Sequence, residues 1–197
     1  MAGAVRPRSG MDDLEARWID RARRGDRAAF EDLVRRHQQR VYGTAFRILR
    51  RHDLADDVTQ DAFLRAWQRL ADFDAARPFG PWICRIAANM AISHTRSPRF
   101  REEELPEEQA QATHAEGGPL EAAMESEART LLEDALGSLP PEQRAVFVLR
   151  TVEELSYDEI AEALDLAPGT VMSRLSRARE KLRRALGPYL GATSGVA

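Results

Sequence analysis

Cysteine is almost missing from this chain: Cys84 stands alone among 197 residues. A single thiol forms no internal disulfide and offers too few ligands for a Cys-rich zinc site, so a reducing cytoplasm suits the chain best. Histidine is sparse as well, with His37, His52, His94 and His114 scattered. No apolar run approaches the roughly 18 residues of a membrane-spanning helix. The opening MAGAVRPRSGMDD lacks the apolar stretch of a secretory signal. Alternating strand patterns and Asn-Gly hairpin turns are absent, which argues against a sheet. There is no P-loop, HExxH or catalytic triad pattern, so the chain reads as a non-enzyme that needs neither a metal nor another cofactor.

The mixture that remains, 43% hydrophobic and 31% charged, is ordinary for a globular protein. The net charge of −3 conceals segregation. Arg21, Arg23, Arg24, Arg27, Arg35, Arg36, Arg40, Arg47, Arg50 and Arg51 crowd the first part. Glu102 to Asp134 is acidic, with Arg129 its only basic residue, and Arg174 to Arg184 is basic again around Glu180. Basic surfaces attract nucleic acid. For the first hundred residues, solvated helix faces explain the arginines about as well.

Periodicity predicts an all-α protein of two small helical domains joined by a flexible acidic linker. The first domain spans 11–98, the linker 99–119 and the second domain 120–190. A first helix runs from about Asp12 to Arg24 and ends at Gly25, and Asp26 caps the next. A third helix begins at Asp53, with Asp56 in capping-box spacing and Leu54, Val58, Ala62, Phe63, Ala66, Trp67 and Leu70 as its apolar face. Pro81 opens a fourth, whose buried stripe includes Trp82, Ile83, Ile86, Ala87 and Met90. Trp82 is expected in the core, Phe79 is left open, and Cys84 reads as a small buried residue. In the second domain Pro140-Pro141 starts a helix, Ser156 and Glu159 form a capping box, and Pro168 starts a last helix that ends at Gly187-Pro188.

LSYDEIAEALDLAPGTVMSRLSRAREKLRRAL has the layout of a helix-turn-helix. Val171, Leu175, Ala178 and Leu182 face inward. Thr170, Met172, Ser173, Ser176 and Arg177 remain near the start of the second helix, where such a motif presents side chains to base edges. Arg174, Arg177, Arg179, Lys181, Arg183 and Arg184 suit phosphates. A plain helical hairpin with a basic face is the weaker reading.

From SLPPEQR through LSYDEIA and GTV to SRLSRAREKL, this stretch resembles region 4 of the extracytoplasmic-function (ECF) sigma factors of the sigma-70 family. The segments DLADDVTQDAFLRAW and PWICRIAANMA resemble region 2 of the same family. The resemblance implies a sigma factor that binds core RNA polymerase and directs it to promoters for transcription initiation. It implies core polymerase and promoter DNA as partners, with a cognate anti-sigma factor and no membrane insertion.

By the same resemblance, Asp56, Asp57, Gln60 and Asp61 dock on clamp helices of the polymerase largest subunit. Arg85, Asn89, Ser93 and Arg96, which share one polar stripe, open the minus-ten element and hold a flipped base. Thr170, Met172, Ser173, Arg174, Arg177, Arg179 and Lys181 read the minus-thirty-five duplex. Many family members carry a basic residue after GTV; Met172 cannot make arginine's bidentate guanine contact. Two rivals remain. A one-domain regulator would leave the region 2 pair unexplained, and a metal-dependent hydrolase on the aspartate helix would need His or Glu ligands facing it.

Overall fold

The computed structural model describes residues 10–75, 77–97, 100 and 130–192. The expected linker, Phe100 apart, and the start of the second unit near Leu120 lie outside the described residues. Every regular element among the described residues is helical.

Helix α1 (Gly10–Arg23) and α2 (Arg27–Leu49) are joined by a tight turn at Gly25, where φ is +90° and a glycine carries no penalty. Asp26 then caps α2 by accepting the Ala29 N–H at 3.2 Å. Glu15 of α1 holds α2 through His37 at 3.0 Å and Arg36 at 3.1 Å. Burial pushes the Glu15 carboxyl up, but His37 and Arg36 outweigh it and hold it below its ordinary value.

Helix α3 (His52–Arg69) starts one residue before the expected Asp53. Its N-cap is Arg51, with no side-chain cap bond, because Asp53 is taken by the Arg51 guanidinium at 2.7 Å. Helix α4 (Phe79–Thr95) likewise begins before Pro81, with Pro78 in the cap position. Pro81 still falls within the first turn, where no N–H is needed. Phe79 is fully buried and Trp82 only partly so, the reverse of the emphasis placed on Trp82. Gly80 allows α4 to lie close on α2: a Cβ there would meet Arg40 Nη1 at 2.8 Å and the His37 ring at 3.2 Å.

The second unit begins, as described, with a helix over 130–137, here α5. It continues with α6 (Pro141–Thr151), α7 (Tyr157–Leu164) and α8 (Pro168–Ala192). Helix α8 runs through Gly187-Pro188, where an end was expected. These residues are exposed, so the carbonyl that Pro188 leaves without a donor can meet water.

The two units do not hang apart on a tether. Helices α2 and α4 pack against α6, and α4 packs against α7. One apolar cluster runs from Ile19, Leu33, Ile48 and Ile83 to Val146, Leu149, Ile160 and Leu175. Each such fully buried side chain contributes on the order of 1.5–3 kcal/mol relative to exposure.

Candidate nucleic-acid interface

The helix-turn-helix is built from local chemistry. The Ser156 hydroxyl accepts the Glu159 N–H at 3.2 Å, and the Glu159 carboxylate accepts the Ser156 N–H at 2.9 Å and its O–H at 2.8 Å. Asp165, at φ +52°, ends α7 in the left-handed conformation. The Ala167 carbonyl then accepts from Thr170 at 2.8 Å and opens α8. Val171, Leu175, Ala178 and Leu182 are all buried, as the sequence pattern requires. Val171 and Leu175 share a core with Ile160 and Leu164, while Ala178 and Leu182 join Ala135 and Leu136 of the first helix of the unit and Leu139 just after it.

That packing turns Met172, Ser173, Ser176, Arg177, Arg179 and Lys181 outward. Thr170 is half-buried and accepts the Ser173 hydroxyl on its carbonyl at 3.0 Å. Arg174 differs from expectation: its side chain is only 19% exposed and meets Glu142 of α6 at 2.6 Å. It sits on the flank of α8 rather than at its crest, because it falls three residues after the buried Val171 and next to Leu175. Arg183 and Arg184 both pair with Glu180, whose carboxyl is lowered chiefly by the Arg183 bond. The exposed arginines near the start of the helix are therefore Arg177 and Arg179.

On α4 the expected polar stripe exists, but it is engaged. The Arg85 side chain is 13% exposed and pairs with Glu162 of α7 at 2.6 Å. The Asn89 amide donates to the Ala163 carbonyl at 2.8 Å. Ser93 donates to the Asn89 carbonyl at 3.0 Å, and Arg96 lies 3.9 Å from Glu142. Buried Ile83, Ala87 and Ala91 fix the opposite face.

On α3 Asp56, Asp57, Gln60 and Asp61 are exposed together, opposite Ala55, Val58, Ala62 and Ala66. Beside them runs an apolar groove of about 570 Å³ lined by Phe30, Val34, Gln60, Phe63, Leu64 and Trp67. Leu64 is 62% exposed. In the sequence, its position off the Ala62–Ala66 stripe is the one signal that marks it. Glu153 carries no such signal. This side chain is fully buried, with Thr44 Oγ1 donating at 2.6 Å and Arg40 Nε at 2.7 Å. Nearby, burial above all pushes the Cys84 thiol up to about 12, with the Glu153 charge adding to it, so the thiol stays protonated and unreactive.

Comparison with known proteins agrees with this layout. Residues 33–101 match the model of sigma-70 region 2, and residues 129–182 match that of sigma-70 region 4. The chain is 36% identical to the ECF RNA polymerase sigma factor SigE of Mycolicibacterium smegmatis, over 86% of this chain and 67% of the relative. It is 32% identical to the ECF RNA polymerase sigma factor SigW of Bacillus subtilis, over 89% of this chain and 98% of the relative. Among solved structures, CnrH in complex with the cytosolic domain of CnrY superposes with a TM-score of 0.59 at 30% identity, covering 89% of this chain and 98% of that one. The sigma factor RpoE of Bartonella quintana, in complex with the anti-sigma factor NepR, gives 0.63 at 26% identity, covering 80% and 96%. With a helix-turn-helix in one unit, an acidic helix and a polar stripe in the other, and relatives matched over most of their length, the chain belongs to the ECF group of the sigma-70 family: it is a sigma factor, a non-enzymatic subunit that directs RNA polymerase to promoters for transcription initiation.

Proposed function

We propose a division of labour between the two units, taken as 11–98 and 120–190 with 99–119 as the connector. Asp56, Asp57, Gln60 and Asp61 dock on core polymerase. Their shared exposure on α3, beside the Leu64 groove, supports this. Arg85, Asn89, Ser93 and Arg96 act on the minus-ten element. Asn89 carries both a donor and an acceptor, as the edge of an extruded base requires. Thr170, Met172, Ser173, Arg177, Arg179 and Lys181 face the minus-thirty-five duplex, and Arg174 joins them on leaving Glu142. The observation that carries this assignment is the inward stripe of α8. Its complete burial leaves a small, polar and basic surface at the start of a helix that fits a major groove.

The chain works in the cytoplasm under a cognate anti-sigma factor. Support comes from the solved relatives RpoE, held by the anti-sigma factor NepR, and CnrH, held by the cytosolic domain of CnrY. No helix among the described residues is long and apolar enough to cross a membrane.

Run-off transcription with core polymerase across a promoter library tests the reading, with Asn89→Ala as the discriminating variant. The variant is expected to keep polymerase and duplex minus-thirty-five binding while losing open-complex formation. Wild-type melting and transcription by Asn89→Ala would remove Asn89 from the minus-ten site.

A further inference from the structure

Of the residues assigned above to the minus-thirty-five duplex, Met172 alone is apolar, and it is 52% exposed. It does not stand by itself. Tyr157, the first residue of α7, is exposed as well. The two side chains line one open cleft of about 510 Å³, together with buried Leu175 and exposed Ser176 and Arg179. Tyr157 is held in place by Arg150, whose guanidinium lies over the ring at 5.5 Å and donates to the Leu155 carbonyl at 2.9 Å.

Polar groups around Met172 are committed elsewhere. The Ser173 hydroxyl donates to the Thr170 carbonyl at 3.0 Å. Glu180, the acid on the cleft, is held by Arg183 at 2.6 Å and Arg184 at 2.9 Å. Met172 itself brings no donor and only a weakly accepting thioether. It can therefore tell base pairs apart only by shape and apolar contact. In the major groove one base edge carries an apolar group, the C5 methyl of thymine; the other bases present donors and acceptors there.

We propose that Met172, backed by Tyr157, reads the C5 methyl of one thymine in the minus-thirty-five element, so that apolar enclosure specifies thymine at a position where an arginine would take guanine. This rests on the assignment of α8 to that duplex.

Charge and continuity make DNA the occupant of the cleft. Arg179 stands on its edge and Arg177 lies close by on α8, both exposed, and phosphates neutralised by them draw the helix into the groove. The small side chains of Ser173 and Ser176 let α8 come close to the base edges. Taking one methyl group out of water corresponds to about a fourfold change in binding.

The test uses the full chain assembled with core polymerase, on a promoter duplex bearing the minus-thirty-five element that selection returns for the wild type. Each thymine of either strand is replaced in turn by uracil, which removes the methyl and keeps every hydrogen-bonding group. At one position the wild type should bind about fourfold more weakly. Met172→Ala, a change at an exposed side chain that spares the core, should not distinguish thymine from uracil there, whereas Met172→Leu should. With cytosine at the same position, addition of a 5-methyl group should restore about fourfold in the wild type and nothing in Met172→Ala. A selected element without thymine, a wild type indifferent to uracil at every position or to methylation of the cytosine, or a uracil effect that survives in Met172→Ala overturns the proposal. Arg177→Ala separates that failure from failure of the duplex reading. If it weakens promoter binding, α8 still faces the duplex and only the methyl contact falls; if it binds as the wild type does, the duplex assignment falls too.

Discussion

Ser156→Ala tests whether the helix-turn-helix stands on its capping box. Helix α7 is eight residues long, too short to persist without tertiary support. The substitution deletes the hydroxyl that accepts the Glu159 N–H at 3.2 Å and donates to its carboxylate at 2.8 Å, leaving the Ser156 N–H bond at 2.9 Å. Loss of such a cap costs about 1 kcal/mol, within a range of roughly 0.5–2. For a chain of this size that is a fall in Tm of about 2–4 °C per kcal/mol. The Glu159 carboxyl is held below its ordinary value, first by the Ser156 backbone N–H and then, against some burial, by its hydroxyl. A depressed carboxyl stabilises the fold fully above its unfolded pKa of about 4.3 and loses that contribution as pH falls through the lower folded value. Urea unfolding of Ser156→Ala, Glu159→Ala and the double variant should therefore show coupling at neutral pH that shrinks in strong acid. Additive losses, equal at both pH values, would refute the reciprocal cap.

Two further outcomes bear on the interfaces. Reversing Asp57 and Asp61 to arginine should weaken binding to core polymerase at least tenfold with unchanged helical content, measured by competition with the wild type; equal competition by the folded double variant would remove α3 from the docking surface. Arg177→Ala should weaken binding to a minus-thirty-five duplex by about 1–3 kcal/mol if it reads a base. Met172→Arg should change the base that selection returns, and an identical selected motif would show that position 172 reads none.

Much of the fold was legible because its determinants are local. Asp26, the Ser156–Glu159 box and the Val171, Leu175, Ala178, Leu182 stripe each depend on neighbours within a turn or two, and each stands as read. The misplaced ends have local rivals: Arg51 captures the side chain that would have capped α3, and Pro78 precedes Pro81 in a role either residue could take. The site was half legible. Residue types and helix faces for Asp57, Asn89 and Arg177 follow from periodicity, and all three are exposed. Arg174 does not follow, because its pairing partner lies on a different helix. Glu153 was beyond reach, since its partner Arg40 is 113 residues away and no period connects them.

The same separation explains why the charge pattern was ambiguous. Read as composition, an arginine-rich first part suits nucleic acid or solvent equally. Across the seam between the units, Arg40, Arg50, Arg85 and Arg96 meet Glu153, Glu133, Glu162 and Glu142, of which only Glu133 comes from the acidic stretch, so these arginines have partners that composition alone does not announce. An arginine poised for phosphate is also suited to a carboxylate, because its planar fork fits both.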